Sequence, residues 1–160
     1  MTTRLEHKIE NNPSADFPSK IVRVCITSRD ASYPVVIPIN EVFRINEIFH
    51  EHTYSIMQLN SRNKPSKIID VGANIGLFAI YMKCLNPENV IHCFEPSPST
   101  FSLLEENVGS IKGINIYPYG LFNSECVATM YLNNENTGEN SIKSGSTRAS
   151  NFNPHFALAI

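Results

Sequence analysis

The polar start of the chain, residues 1–19, contains Pro13 and Pro18 and carries no motif, so a loose lead-in is expected there. The pattern then changes. In IVRVCIT, residues 21–27, the apolar residues Val22, Val24 and Ile26 alternate with other positions, the period of a half-buried strand. Residues 33–39 form a second extended run interrupted by proline, and the two together predict an antiparallel pair. Residues 41–51 switch to helical spacing, with Val42, Ile45 and Phe49 on one face and a second apolar pair at Phe43 and Ile48. From residue 67 the period alternates again, in the order β-α-β-α-β. KIIDV (67–71) and NVIHCF (89–94) read as buried strands separated by an apolar helix at 77–85. Ser97 and Pro98 suit a helix start, and Phe101, Leu104 and Val108 mark its apolar stripe. A third strand is expected at 114–119 and a fourth at 126–132. Right-handed βαβ crossovers make such strands parallel and put a ligand at their carboxyl ends. Residues 133–153 are rich in Asn, Ser, Gly and Thr and read as a long loop, and residues 156–160 are apolar enough to dock or to begin a further strand. The expected units are thus the lead-in 1–19, a hairpin and helix at 20–66, a βαβαβ core at 67–132 and a polar tail at 133–160.

The chemistry concentrates in KIIDVGANIG, residues 67–76, and in Glu95 of VIHCFEPSP. A strand runs into a turn holding Gly72 and Gly76, and the turn opens a helix whose first N–H groups face the loop. In isolation a Gly-x-x-x-Gly pair is as readily a packing device as a ligand cradle. A P-loop requires Lys and Ser or Thr after the last Gly, where this chain has Leu77 and Phe78, and is excluded. The dinucleotide fingerprint requires G-x-G-x-x-G, and Asn74 stands where its second Gly belongs. S-adenosylmethionine carries no phosphate and needs polar contacts instead, which Asp70, Asn74 and the loop backbone offer. Glu95 lies at the tip of the second strand, followed by Pro96, and a carboxylate there can accept both hydroxyls of a ribose. An NAD site uses a carboxylate in a comparable place, so Glu95 supports a nucleoside rather than one cofactor.

DVGANIGLFAIY followed by CFEPSPSTFSLLEENV resembles the FkbM-type methyltransferases, an S-adenosylmethionine-dependent branch of the class I methyltransferase fold. VFRINEIFHEHTY, residues 42–54, is similar to the short helix and Tyr that precede the first strand of that family. The resemblance implies an α/β fold with a Rossmann-like class I sheet, preceded by a small β-hairpin and helix. It implies that Asp70, Gly72, Asn74 and Gly76 line the S-adenosylmethionine pocket and that Glu95 binds the ribose, with Ala73 of the loop and Pro96 beside Glu95 counted with them. The end of the third strand commonly approaches the adenine in class I methyltransferases, which adds Leu121. The implied acceptor is an oxygen on a small metabolite or sugar; the sequence assigns no general base. A D-x-E-G-like motif and the later strands of the family are not visible before Ile160, so the expectation is an N-terminal part truncated after the third or fourth strand. The other readings are a catalytically silent nucleoside-binding fragment and an NAD-type oxidoreductase domain.

Composition changes this little. At 160 residues, 42% apolar and a net charge of −2, the chain suits one core and shows no basic stripe for nucleic acid. No apolar run reaches membrane-span length and the polar start is unlike a signal peptide, which predicts a cytoplasmic protein. Cys25, Cys84, Cys93 and Cys126 lack regular spacing and read as free buried thiols. His50 and His52, two apart, do not share a helix face, so no metal site is expected.

Overall fold

Alternating burial builds the first layer. In the computed structural model, which describes residues 2–10, 20–28, 31–51, 54, 64–121, 126–130 and 155–158, strand β2 (Ile21–Thr27) buries Val22, Val24 and Ile26 while Arg23 stays exposed. It pairs antiparallel with β3 (Ser32–Pro38), in the register Arg23↔Val36 and Val24↔Val35. A third strand, β1 (Thr2–Glu10), pairs antiparallel with the other edge of β2, from Thr2↔Thr27 to Glu10↔Ile21. The loose lead-in expected from composition is therefore a strand over these residues. Pairing draws on backbone N–H and C=O groups, which a polar segment owns as fully as an apolar one, and polar sequence is normal for an edge.

A 3₁₀ turn (Ile39–Glu41) leads into α1 (Phe43–Phe49), shorter than the helix expected at 41–51. Ile45 and Phe49 are buried, but Phe43 is 48% exposed and lies under the Arg44 guanidinium at 5.2 Å. Of the second apolar pair, Ile48 packs against the core, and only Phe43 is left outside it. His52 lies outside the described residues.

The main sheet is parallel. Its order is β4 (Lys67–Val71), β5 (Val90–Phe94), β6 (Ile114–Tyr117), with Ile68↔Ile91, Asp70↔Cys93 and Phe94↔Tyr117 in register. Helices α2 (Leu77–Leu85) and α3 (Pro98–Val108) supply its crossovers, as the helical spacing predicted. Ile91 and Cys93 are fully buried and join Ala79, Ile80, Leu104 and Val108 in one apolar cluster. The turn from α2 to β5 is fastened by Asn89, whose Nδ2 donates to Met82 O at 2.7 Å and whose Oδ1 accepts Ser66 N–H at 2.9 Å. This ties the start of β4 to the start of β5 and so aligns their carboxyl ends. The Ser97 side chain makes no cap bond to the helix; its oxygen accepts the Thr100 hydroxyl at 3.0 Å.

The expected fourth strand does not extend the parallel sheet. β7 (Cys126–Thr129) pairs antiparallel with β8 (His155–Leu158) in a separate two-stranded sheet. A parallel addition needs a crossover of a dozen or more residues, and only residues 118–125 separate β6 from β7. The expected long loop over 133–153 lies outside the described residues. Among the described residues no helix is long and apolar enough to cross a membrane.

Candidate functional site

The turn after β4 continues the sheet before it leaves it. Gly72 and Ala73 N–H both donate to Phe94 O, at 2.9 and 3.0 Å, which holds the turn against the end of β5. Three alternate residues then take positive φ: Gly72 at 77°, Asn74 at 51° and Gly76 at 90°. Asn is among the few side chains that tolerate this region, and its Oδ1 accepts Ile75 N–H at 2.7 Å. The two glycines serve different ends. A Cβ on Gly76 would lie 2.8 Å from Val108 Cγ1 and 3.0 Å from Leu104 Cδ1, so Gly76 permits close approach of α3. A Cβ on Gly72 would meet nothing within 4 Å, so the space above Gly72 is free for a ligand.

Glu95 sits beneath the loop and is 6% exposed. Its Oε2 accepts Asn74 N–H and its Oε1 accepts Ser97 N–H, both at 2.9 Å. Burial pushes its carboxyl above the usual range; the two N–H donors pull it back, and nearby Asp70 and Glu41 raise it again. Each oxygen keeps a second lone pair for a further donor.

Asp70, Val71, Gly72, Ala73, Asn74 and Ile75 line a cavity of about 300 Å³, closed on its other sides by Arg44, Ile48, Tyr54, Leu77 and Phe78. Tyr54 and Phe78 pack with ring centroids 4.8 Å apart. Asp70 Oδ2 is buried there without a hydrogen-bond partner, and burial raises the carboxyl to about 6. Such an atom costs free energy unless a donor or cation reaches it. Arg44 Nε donates to Glu41 Oε2 at 3.1 Å, and Glu41 is fully buried. Among the described residues around the loop, the carboxylates of Asp70, Glu95 and Glu41 stand with the guanidinium of Arg44.

Of the residues singled out in the sequence, Asp70, Gly72, Ala73 and Asn74 meet at this cavity. Gly76 lies behind it against α3, and Glu95 supports it from below. Pro96 and Leu121 are half-buried and do not line it. Arg44, Ile48 and Phe78 were missed as site residues, since only tertiary packing brings α1 over the loop; the helical spacing of Ile48 was the available signal. Asp70, Gly72 and Asn74 could hold a cofactor, through a carboxylate, an open approach and a polar loop. Cys84 and Cys93 are no nucleophiles, because burial pushes their thiols up to about 11 and about 12. Cys25 and Cys84 are half-buried rather than buried, and with Cys93 they are free. His92 Nδ1 lies 3.0 Å from the Tyr117 hydroxyl, away from the cavity.

No family model matches the chain. The methyltransferase sdnD of Sordaria araneosa is 38% identical over 96 residues, covering 58% of this chain and 36% of that protein. Methyltransferase 1 of Beauveria bassiana is 36% identical over 77 residues, covering 47% and 30%. The 31-O-demethyl-FK506 methyltransferase FkbM of Streptomyces tacrolimicus is 35% identical over 66 residues, covering 41% and 25%. The matches thus span about a third of these relatives or less. A solved Pyrococcus horikoshii protein described as a transferase is 13% identical, with a TM-score of 0.35 over 59% of this chain and 35% of its own; at that level the likeness carries no argument. Over part of its length the chain is thus similar to proteins named methyltransferases, one of them FkbM.

Proposed function

We propose that this chain holds S-adenosylmethionine at the carboxyl ends of β4 and β5 and serves methyl transfer to a hydroxyl oxygen of a small metabolite or sugar. The observation that carries the reading is the buried, unpartnered Asp70 Oδ2 facing a cavity beside the open space at Gly72. The cofactor supplies a methyl group on a cationic sulfur and carries an ammonium as well. Asp70 is placed to receive a cation, and the loop backbone is placed to receive polar groups. Glu95 holds the loop through Asn74 N–H and retains lone pairs for ribose hydroxyls. The excess of carboxylates over Arg44 favours a ligand of net positive charge and opposes the pyrophosphate of a dinucleotide. Support for an oxygen acceptor comes from the relative named for 31-O-demethyl-FK506. A cytoplasmic setting fits the free thiols of Cys25, Cys84 and Cys93.

Calorimetric titration with S-adenosylmethionine, S-adenosylhomocysteine and NAD tests the reading. The two methionine-derived ligands should bind and NAD should not; binding of NAD alone overturns it. Glu95→Ala should weaken cofactor binding by about 1–3 kcal/mol, the scale of unmet charged hydrogen bonds. Cofactor binding without turnover on any hydroxyl acceptor would instead assign a silent cofactor-binding module.

A further inference from the structure

Asn107, near the end of α3, is 5% exposed and has no place in the reading above. Its side-chain amide joins two parts of the molecule. Oδ1 accepts Val36 N–H at 2.7 Å and Nδ2 donates to Val36 O at 3.0 Å. These are the two backbone bonds that a neighbouring strand would make to the outer edge of β3, which is the last strand of its sheet. The second Nδ2 hydrogen goes to Ile75 O at 2.9 Å, inside the cofactor loop. Both donors and the acceptor of one buried amide are therefore used, two bonds on the amino-terminal sheet and one on the loop.

The rest of the loop leans on the same helix. Gly76 lies against Leu104, one turn before Asn107, and Val108, the residue after it, and Glu95 fixes Asn74 N–H. Ile75 thus lies between two buried anchors, a carboxylate holding the N–H of Asn74 and an amide holding its own carbonyl. A second tie between sheet and helix, Arg23 to Glu106 at 3.0 Å, has both side chains about half exposed and does not touch the loop.

We propose that Asn107 is a positioning residue that couples the seating of the amino-terminal sheet on α3 to the shape of the cofactor loop, so that loop occupancy and sheet docking stabilise each other. Linkage makes the effect reciprocal: whatever orders the loop protects β3, and whatever frees β3 loosens the loop. The proposal rests on the loop being the cofactor cradle, and its test has one arm that does not.

Hydrogen exchange supplies that arm. In Asn107→Asp the acceptor for Val36 N–H remains, and both donors to Val36 O and Ile75 O are lost. The amides of Asn74 and Gly76, which bond to Glu95 and Ala73 and never to Asn107, should then exchange about tenfold faster without any ligand, the scale of an unmet buried hydrogen bond. Arg23→Ala, which frees the exposed tie, should leave them unchanged. Asn107→Leu removes all three bonds and should act in the same direction; if it fails to fold, Asn107→Asp decides. In the wild type, saturating S-adenosylhomocysteine should slow exchange at Val36, outside the cavity, and this protection should vanish in Asn107→Asp. Unchanged Asn74 and Gly76 exchange in Asn107→Asp, or an equal rise in Arg23→Ala, overturns the proposal. If the wild type binds no methionine-derived ligand, the functional reading fails, while the ligand-free exchange still decides the role of Asn107.

Discussion

The two faces of the parallel sheet differ sharply. On one, Ile91 and Cys93 are fully buried with α2 and α3; on the other, Ile69 and Val71 of β4 stand 67% and 60% exposed, beside half-buried His92, Phe94 and Tyr117. Both faces are apolar, yet the anchors of the loop lie with the helices. Gly76 needs Leu104 and Val108 behind it, Ile75 needs Asn107, and neither draws on the exposed face. The anchors at Gly76 and Ile75 thus depend on the helix-covered face. A parallel sheet is ordinarily covered on both.

Ile91→Ala should cost about 3–4 kcal/mol in urea unfolding, the range for emptying a fully packed site. A loss under about 1 kcal/mol would mean that the helical face is no better packed than the other. Gly76→Ala follows at about 2–3 kcal/mol, from the left-handed backbone and the contacts with Val108 and Leu104. Gly72→Ala shares the backbone cost, about 1 kcal/mol, without the collision, and should instead show its larger effect on cofactor affinity. Equal effects of the two on stability would dissolve the distinction between packing glycine and ligand glycine.

The Asp70 carboxyl gives a pH test of smaller size. Burial lifts its folded pKa to about 6, above the ordinary 3.8, so its favourable contribution to stability is fully present below about 3.8 and is lost as pH rises through about 6. A cationic ligand reverses the sign, because it prefers the ionised carboxylate. Affinity for S-adenosylmethionine should therefore rise up to about tenfold per pH unit below the folded pKa and level off above it. Asp70→Asn should flatten the profile; an unchanged profile would remove Asp70 from the cation site. The smallest effect belongs to the exposed face. Ile69→Ser should change stability by less than about 0.5 kcal/mol, and light scattering should show less self-association as exposed apolar surface is removed. A loss of several kcal/mol would show that this residue is packed after all.

Residues 67–117 were legible because each local signal agreed with the next. Strand period, glycine turn and helical stripe pointed to the same β-α-β-α-β order, and α2 spans the residues expected. The hairpin at β2 and β3 was legible for the same reason. β1 was not, because edge pairing is made by backbone and leaves little trace in composition. Nor was the departure of β7 from the parallel sheet foreseen, although the short connection at 118–125 was there to be counted. In the site, Asp70, Gly72 and Asn74 were legible through spacing alone. That Glu95 holds the loop by Asn74 N–H, and that Arg44 closes the cavity, depends on contacts across 21 and 26 positions of sequence.

The order of elements from residue 67 onward and the place of the glycine loop between β4 and α2 follow from local periodicity and turn chemistry, which act over a few residues. The sequence also carried the likeness to named methyltransferases, FkbM among them. Only the tertiary structure decided which oxygen of Asp70 is left without a partner, which glycine faces open space, and that one amide, Asn107, joins the first sheet to the loop. Burial and hydrogen-bond satisfaction are properties of assembled surroundings, and no spacing along the chain encodes them.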